Sequence, residues 1–289
     1  MTGGVVNIGY VELVAASLLM LVAGVVSWRL RLGQTRRIAI STVRAFLQLL
    51  AMGLLLVYLF QYQTWWLVCL VLLGMCIAAT QIAVGRTKNV VRGLWVDTFL
   101  SITVSSIVIA LVVVECIIHA DPWYSAKEMI PISGMILGNT LASAAVAIDR
   151  LFASMDARSN EIYMMVALGA TPREAAFPSI KAAVGAGMTP ELARLSAAGI
   201  VQIPGMMSGQ ILAGADPVIA AKYQIVVLLM ISAATTLSIV MMCFLAYKKR
   251  FAAEGYYLDA ALRDDGAGRG QGWGKCRRSR DTTVVRAQL

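Results

Sequence analysis

Long apolar runs, separated by short polar and charged stretches, dominate the chain. A hydrocarbon layer about 30 Å thick needs about 20 apolar residues in an α-helix. Seven runs approach that length: 8–28, 38–60, 65–84, 98–118, 130–148, 194–214 and 223–247. The pattern predicts an all-α integral membrane protein, a polytopic bundle of about seven transmembrane helices. The first run does not read as a cleavable signal peptide. No basic stretch precedes it, no small-residue cleavage site is clear, and it is too long for an h-region.

Between the fifth and sixth runs lies a longer polar stretch, 149–193. Leu151, Met155, Ile162 and Val166 recur there at helical spacing, so span five is expected to continue as an amphipathic helix, with Arg158 at the edge of that face. The sequence GATPREA at 169–175 then reads as a started helix. Thr171 can cap it, Pro172 suits the first helical position, and Glu174 can reach back to close a capping box. Pro178 is expected to interrupt this helix after about a turn and a half. Further starts are expected at Pro178 and at Thr189-Pro190-Glu191. Such a short helix is marginal alone and needs something to lean on; an ordinary interhelical loop is the alternative.

Composition agrees with a membrane protein: 59% of residues are hydrophobic, 14% are charged and the mean hydropathy is +0.74. Basic residues sort by loop. Arg29, Arg31, Arg36 and Arg37 follow run one; Arg86, Lys88 and Arg92 follow run three. Arg150, Arg158, Arg173, Lys181 and Arg194 lie between runs five and six, and Lys248, Lys249 and Arg250 follow run seven. The other loops hold only Lys127 and Lys222. The positive-inside rule places the N-terminus outside and the C-terminus in the cytoplasm. Glu12, Glu115, Asp121, Glu128 and Asp216 lie on the outer side of this arrangement. So does an aromatic belt of Tyr10, Tyr62, Trp65, Trp66, Trp123, Tyr124 and Tyr223. The net charge of +9 is therefore a topology signal, and nucleic acid is not an expected partner.

Two domains of behaviour follow: a transmembrane domain over 1–262, containing the cytoplasmic loop 149–193, and a Gly/Arg-rich cytoplasmic tail over 263–289. The tail lacks apolar periodicity and is expected to be disordered. Its GQGWGKC stretch fails as a phosphate loop, because Arg269 and Cys276 stand where Gly and Ser or Thr are required. The cysteines and the single His119 show no metal-ligand spacing. No Ser/Lys or His/Asp constellation suggests an enzyme, and no cofactor is expected on this chain.

Polar residues within spans normally face the bundle or a cavity. Arg44 and Gln48 share one helix face; Arg44 either snorkels from its helix end or pairs within the bundle. IPISGMILGN at 130–139 pairs Gly134 with Gly138 as a close-approach face. Met135 and Asn139 stand beside it, as packing or as the lining of a path. In run six, Pro204 and Gly205 break the backbone ladder between Gln202 and Gln210, with Met206 and Met207 nearby. Such a break marks either a kink or the wall of a transport path. A stand-alone ion-coupled carrier or channel would need titratable groups at mid-membrane, and among the spans only Arg44 qualifies.

RAFLQL at 44–49, IPISGMILGN at 130–139, ALGATPREA at 167–175 and GIVQIPGMMSGQILAGADPVIAAKYQIVV at 199–227 resemble the permease subunit of the FetB-like iron-export ABC transporters. Plant half-size permeases linked to aluminium tolerance are also similar. The resemblance covers about residues 5–260; the Gly/Arg tail and AAVGAGMTPELARLSAAG are less typical of it. It implies a multi-pass protein of the plasma (inner) membrane, a permease dimer and a separate cytoplasmic ATPase subunit that uses ATP. It also implies export of iron or another metal or small solute. In that setting Gly169, Thr171, Pro172, Arg173 and Glu174 read as a coupling helix for the ATPase. Arg44, Gln48, Met135, Asn139, Gln202, Pro204, Gly205, Met206, Met207 and Gln210 read as a substrate path.

Overall fold

The computed structural model describes residues 9–31, 33, 35–62, 64–85, 87, 93–119, 125–251 and 257. The tail at 263–289, Arg86, Lys88, Arg92, Asp121, Trp123 and Tyr124 lie outside the described residues, as do the side chains of Tyr10, Arg37 and Tyr62. Among the described residues the chain is helical: α1 (Tyr10–Arg29), α2 (Thr35–Tyr62), α3 (Trp65–Gly85), α4 (Leu94–Val113), α5 (Ala126–Ala157), α6 (Ser159–Ala167), α7 (Pro172–Ala197), α8 (Gly205–Leu212) and α9 (Pro217–Ala246). A π-helical turn, Val114–Ile118, extends α4, and a 3₁₀ turn, Tyr247–Arg250, extends α9.

Five stretches among the described residues are long and apolar enough to span a bilayer: Ile38–Gln61, Trp65–Gly85, Leu94–Ile117, Ala126–Ala157 and Pro217–Arg250. α1 contributes a shorter apolar stretch, Ser17–Arg29. The expected sixth span is not one helix. Its first residues complete α7, an irregular stretch follows from 198 to 204, and α8 adds only eight residues. Gly199 turns the chain in the left-handed region at φ 81°, which a glycine adopts without a Cβ clash. Pro204 then stands in extended conformation as the cap of α8. The backbone break therefore lies where Pro204 and Gly205 predicted it, and begins earlier.

The expected interruptions at Pro178 and at Thr189-Pro190-Glu191 do not occur. α7 runs unbroken through both prolines. Its buried residues include Ala175, Ser179, Ala183 and Gly187, one every fourth position, which makes a small-residue seam that Glu191 ends. Pro178 and Pro190 are exposed, off that seam, so their rings displace none of its packing.

The chain divides into two compact units. Of the described residues, the first comprises those within 1–77, 106–137 and 193–234, and the second those within 78–105, 138–192 and 235–289. The first is built on an apolar cluster that includes Leu59, Val68, Ile130, Ile136 and Met230. In the second, α7 runs antiparallel to α5. Ser154 Oγ donates to Ser179 Oγ at 3.1 Å, while Gly187 lies against Ala147 and the Ser143 carbonyl. Thr140 and Thr235 share a buried hydroxyl contact at 3.2 Å. Leu151, Met155 and Ile162 are fully buried, as their helical spacing predicted, and the helix breaks at Arg158, which precedes α6.

Candidate functional site

A cavity of about 590 Å³ lies within the first unit, and one face of each of three helices walls it. α5 supplies Lys127, Glu128, Pro131, Ile132 and Met135, spaced three and four residues apart on one side. At its start, the Ser125 hydroxyl donates to the Glu128 carboxylate. α9 supplies Ile219, Ala220, Tyr223, Val226 and Val227 by the same spacing. Asp216 and Pro217 start that helix: Asp216 Oδ1 accepts from the backbone N–H groups of Val218 at 2.8 Å and Ile219 at 3.1 Å. α8 supplies Met206 and Gln210, one turn apart.

Most of this lining is aliphatic. Met135 and Met206 also pack against the apolar cluster of the unit. Gln210 Oε1 is buried and accepts no hydrogen bond from the described residues. A buried, unsatisfied amide oxygen costs about 1–3 kcal/mol, so this acceptor is an open demand for a donor. Among the described residues no group of three His, Cys, Asp or Glu side chains is placed to hold a metal ion.

Of the residues read as a path, this cavity brings together Met135, Met206 and Gln210. Arg44 and Gln48 are exposed on α2 and line no part of it. Gln202 is exposed in the irregular stretch, where its backbone N–H donates to Ala197 O at 3.1 Å and its carbonyl accepts from Gly199 at 3.0 Å. Pro204 and Met207 are half-buried and Gly205 is exposed. Asn139 is half-buried and belongs to the second unit. The proposed Gly134–Gly138 face is realised only in part: a Cβ at 134 would meet Met75 Cε at 3.3 Å, whereas 138 has open space. Lys127, Glu128 and Tyr223 were read from sequence only as outer-loop and belt residues. Their phase with Pro131, Met135 and Ile219 is the signal that places them here.

The second predicted feature lies in the second unit, between α6 and α7. Gly169 turns the chain at φ 94°. The capping box then forms as its spacing foretold. Thr171 N–H donates to Glu174 Oε2 at 2.9 Å, the Thr171 hydroxyl donates to the same oxygen at 2.7 Å, and Glu174 N–H donates to Thr171 Oγ1 at 3.3 Å. The Thr171 backbone N–H, then its hydroxyl, hold the Glu174 carboxyl below the usual carboxylate range. The Arg158 guanidinium does the same for Glu161 by hydrogen bonding. Arg173 is exposed at its backbone turn, but its guanidinium carbon lies 5.3 Å from the ring centre of Phe244 on α9. Sequence reasoning missed the apolar part of this tip: Leu168 is 82% exposed, Met164 65% and Phe177 51%. Met164 and Leu168 share one face of α6 and its C-terminal turn, a four-residue spacing readable from the sequence.

The sequence comparisons agree in direction. A family model described as "Uncharacterised protein family (UPF0014)" matches residues 10–251. The "Probable iron export permease protein FetB" of Escherichia coli is 33% identical over 244 residues, covering 84% of this chain and 92% of that protein. The "Protein ALUMINUM SENSITIVE 3" of Arabidopsis thaliana is 31% identical over 243 residues, covering 84% and 88%. A UPF0014 membrane protein of Synechocystis is 37% identical over 212 residues, covering 72% and 80%. No solved structure gives a significant match.

Proposed function

The chain belongs to the UPF0014 family of membrane proteins, and we propose that it is the membrane-spanning permease subunit of an ABC transporter. In this reading it resides in the plasma (inner) membrane as a dimer, with its C-terminus cytoplasmic. It exports iron or another metal or small solute, as the name of the FetB relative suggests. A separate cytoplasmic ATPase binds and hydrolyses the ATP. The path passes the cavity that holds Met135, Met206 and Gln210.

The observation that carries the ATPase reading is the α6–α7 tip. A chain without a Walker motif presents three large apolar side chains, Met164, Leu168 and Phe177, around a rigidly capped turn. Exposed apolar clusters rimmed by charge mark protein contacts. Arg173 and Glu174 lie between Leu168 and Phe177 in the chain and are exposed, where charge would steer and register a partner. Leu168→Asp should therefore strip a stoichiometric ATPase from the full-length chain purified from its own membranes. Arg173→Glu combined with Glu174→Arg should weaken retention less, and both variants should still insert. An ATPase retained at the wild-type ratio by Leu168→Asp would remove the docking role. Transport by the lone chain in proteoliposomes would favour a carrier or channel instead.

A further inference from the structure

The chemistry of the cavity in the first unit narrows what it can hold. A bare transition-metal ion needs donors converging on one point at about 2.0–2.3 Å. The cavity instead offers about 590 Å³, inside the range of about 300–1,000 Å³ typical of pockets for organic ligands. Its walls are mostly aliphatic and its one carboxylate, Glu128, already accepts a hydrogen bond from Ser125. Lys127 lines the same cavity, and its positive charge offsets the pull of Glu128 on a bare cation. Met135 and Met206 are flexible, polarisable side chains that mould to varied apolar surfaces. One polar demand is built into the walls: Gln210 Oε1, buried and lacking a donor among the described residues.

We infer that this cavity binds an amphiphilic organic molecule, with an apolar body against Met135 and Met206 and a hydrogen-bond donor to Gln210 Oε1. That body is either a free small solute or the organic shell of a chelated metal. The inference rests on the permease reading for its purpose, since it names the form in which the cargo meets the path. It is testable without transport. An apolar body is drawn in by the aliphatic walls, while the donor satisfies an oxygen that the empty site leaves costly. The ligand's own desolvation is thereby offset at one point only, which orients it.

The test uses the full-length chain in lipid nanodiscs, irradiated with 4-hydroxybenzophenone, whose excited carbonyl inserts into C–H bonds beside sulfur. Adducts mapped by mass spectrometry should fall on Met135 and Met206. Gln210→Met should reduce them about fivefold, the effect of one lost hydrogen bond, and benzophenone lacking the hydroxyl should label the wild type equally weakly. Ile219→Trp, which fills the cavity from a largely exposed wall position, should abolish them, and neither variant should unfold at a lower temperature than the wild type. Excess ferrous ion alone should leave the adducts unchanged. Protection by 8-hydroxyquinoline alone assigns a free solute; protection only by its ferric complex assigns a chelate; protection by neither overturns the inference. Protection of both methionines by ferrous ion alone overturns it in favour of a bare-ion site. Equal labelling by the two benzophenones that survives Gln210→Met overturns it in favour of an acyl-chain crevice. Labelling intact in a chain with no ATP-driven transport would sink the permease reading alone, and transport without labelling would sink only this inference.

Discussion

The two units of the chain differ in the polar contacts that accompany their apolar packing. The first packs an apolar cluster, leaves a cavity beside it, and contains a helix break. The second also buries an apolar set that includes Leu151, Phe152 and Met155, and adds directional contacts: Thr140 with Thr235, Ser154 with Ser179, Gly187 against the Ser143 carbonyl, and Arg250 with Asp156. Apolar contact is non-directional and tolerates rearrangement. Hydrogen bonds and close backbone packing specify one geometry. A unit of the first kind suits a site that must accept and release something. A unit of the second kind suits an element whose position must be kept.

The largest test of that contrast is the ion pair at the end of α9. Arg250 is fully buried, donates to Asp156 at 2.6 and 3.1 Å, and lies over Phe152 with its guanidinium carbon 4.7 Å from the ring centre. Removing one partner of a buried pair leaves an uncompensated charge and costs about 3–5 kcal/mol. Asp156→Leu should approach that cost, because Arg250 has no route to water. Arg250→Met should cost less, since the Asp156 side chain is 28% exposed and can hydrate. The double variant should recover most of the loss. Denaturant unfolding in detergent micelles, run as a double-mutant cycle, measures all three. Full additivity would mean that the pair specifies nothing in this unit.

Glycines sharpen the contrast at the next scale. A Cβ at Gly187 would stand 2.8 Å from Ala147 Cβ and 3.1 Å from the Ser143 carbonyl, neither of which can swing aside. In the first unit, a Cβ at Gly134 would meet only the mobile end of Met75. Gly187→Ala should therefore destabilise by about 1–3 kcal/mol. Gly134→Ala should be near neutral, as Met75 yields and a helix interior favours alanine. Ala147→Gly should restore part of the Gly187→Ala loss. Equal melting shifts for the two glycine variants would erase the difference between the units.

Much of this was written in the sequence, for local reasons. The apolar runs that became α2, α3, α4, α5 and α9 needed only length and composition. The Thr171–Glu174 box and the Pro204 break needed only neighbours within a turn or two. What failed depended on distant partners. Pro178 and Pro190 look like helix ends when read alone. They are tolerated because Ala175, Ser179, Ala183 and Gly187 form a seam against α5 and α9 that outweighs two weakened turns. The same seam was visible as small residues at every fourth position, yet it names no partner until α5 is seen to run antiparallel. The cavity was half legible. Gln210 and Met206 stood out as polar and soft groups beside a break, whereas Lys127, Glu128 and Tyr223 gain meaning only when α5 and α9 face one space. Gln202 stands before the break, exposed in the irregular stretch that the Gly199 turn opens.

The smallest expected effect concerns the cap at the start of α7. Glu174 binds its proton less readily in the folded chain than in the unfolded one, because its carboxylate accepts from the Thr171 N–H and hydroxyl. A depressed folded value means that the ionised carboxylate is what the fold favours. The stabilisation is therefore fully present above the unfolded glutamate value, about 4.3. It is lost as pH falls through the lower folded value. Thr171→Ala removes both side-chain bonds of the cap and should cost about 1 kcal/mol at neutral pH. Glu174→Gln keeps the size and removes the charge, so it should flatten the acid dependence while leaving part of the cap. Amide hydrogen exchange at the first turn of α7, followed between neutral and acidic pH, reads this directly. Protection at Thr171 and Glu174 should decline with acidification in the wild type and stay level in Glu174→Gln. An identical decline in both would assign the acid sensitivity to other groups and leave the cap as packing alone.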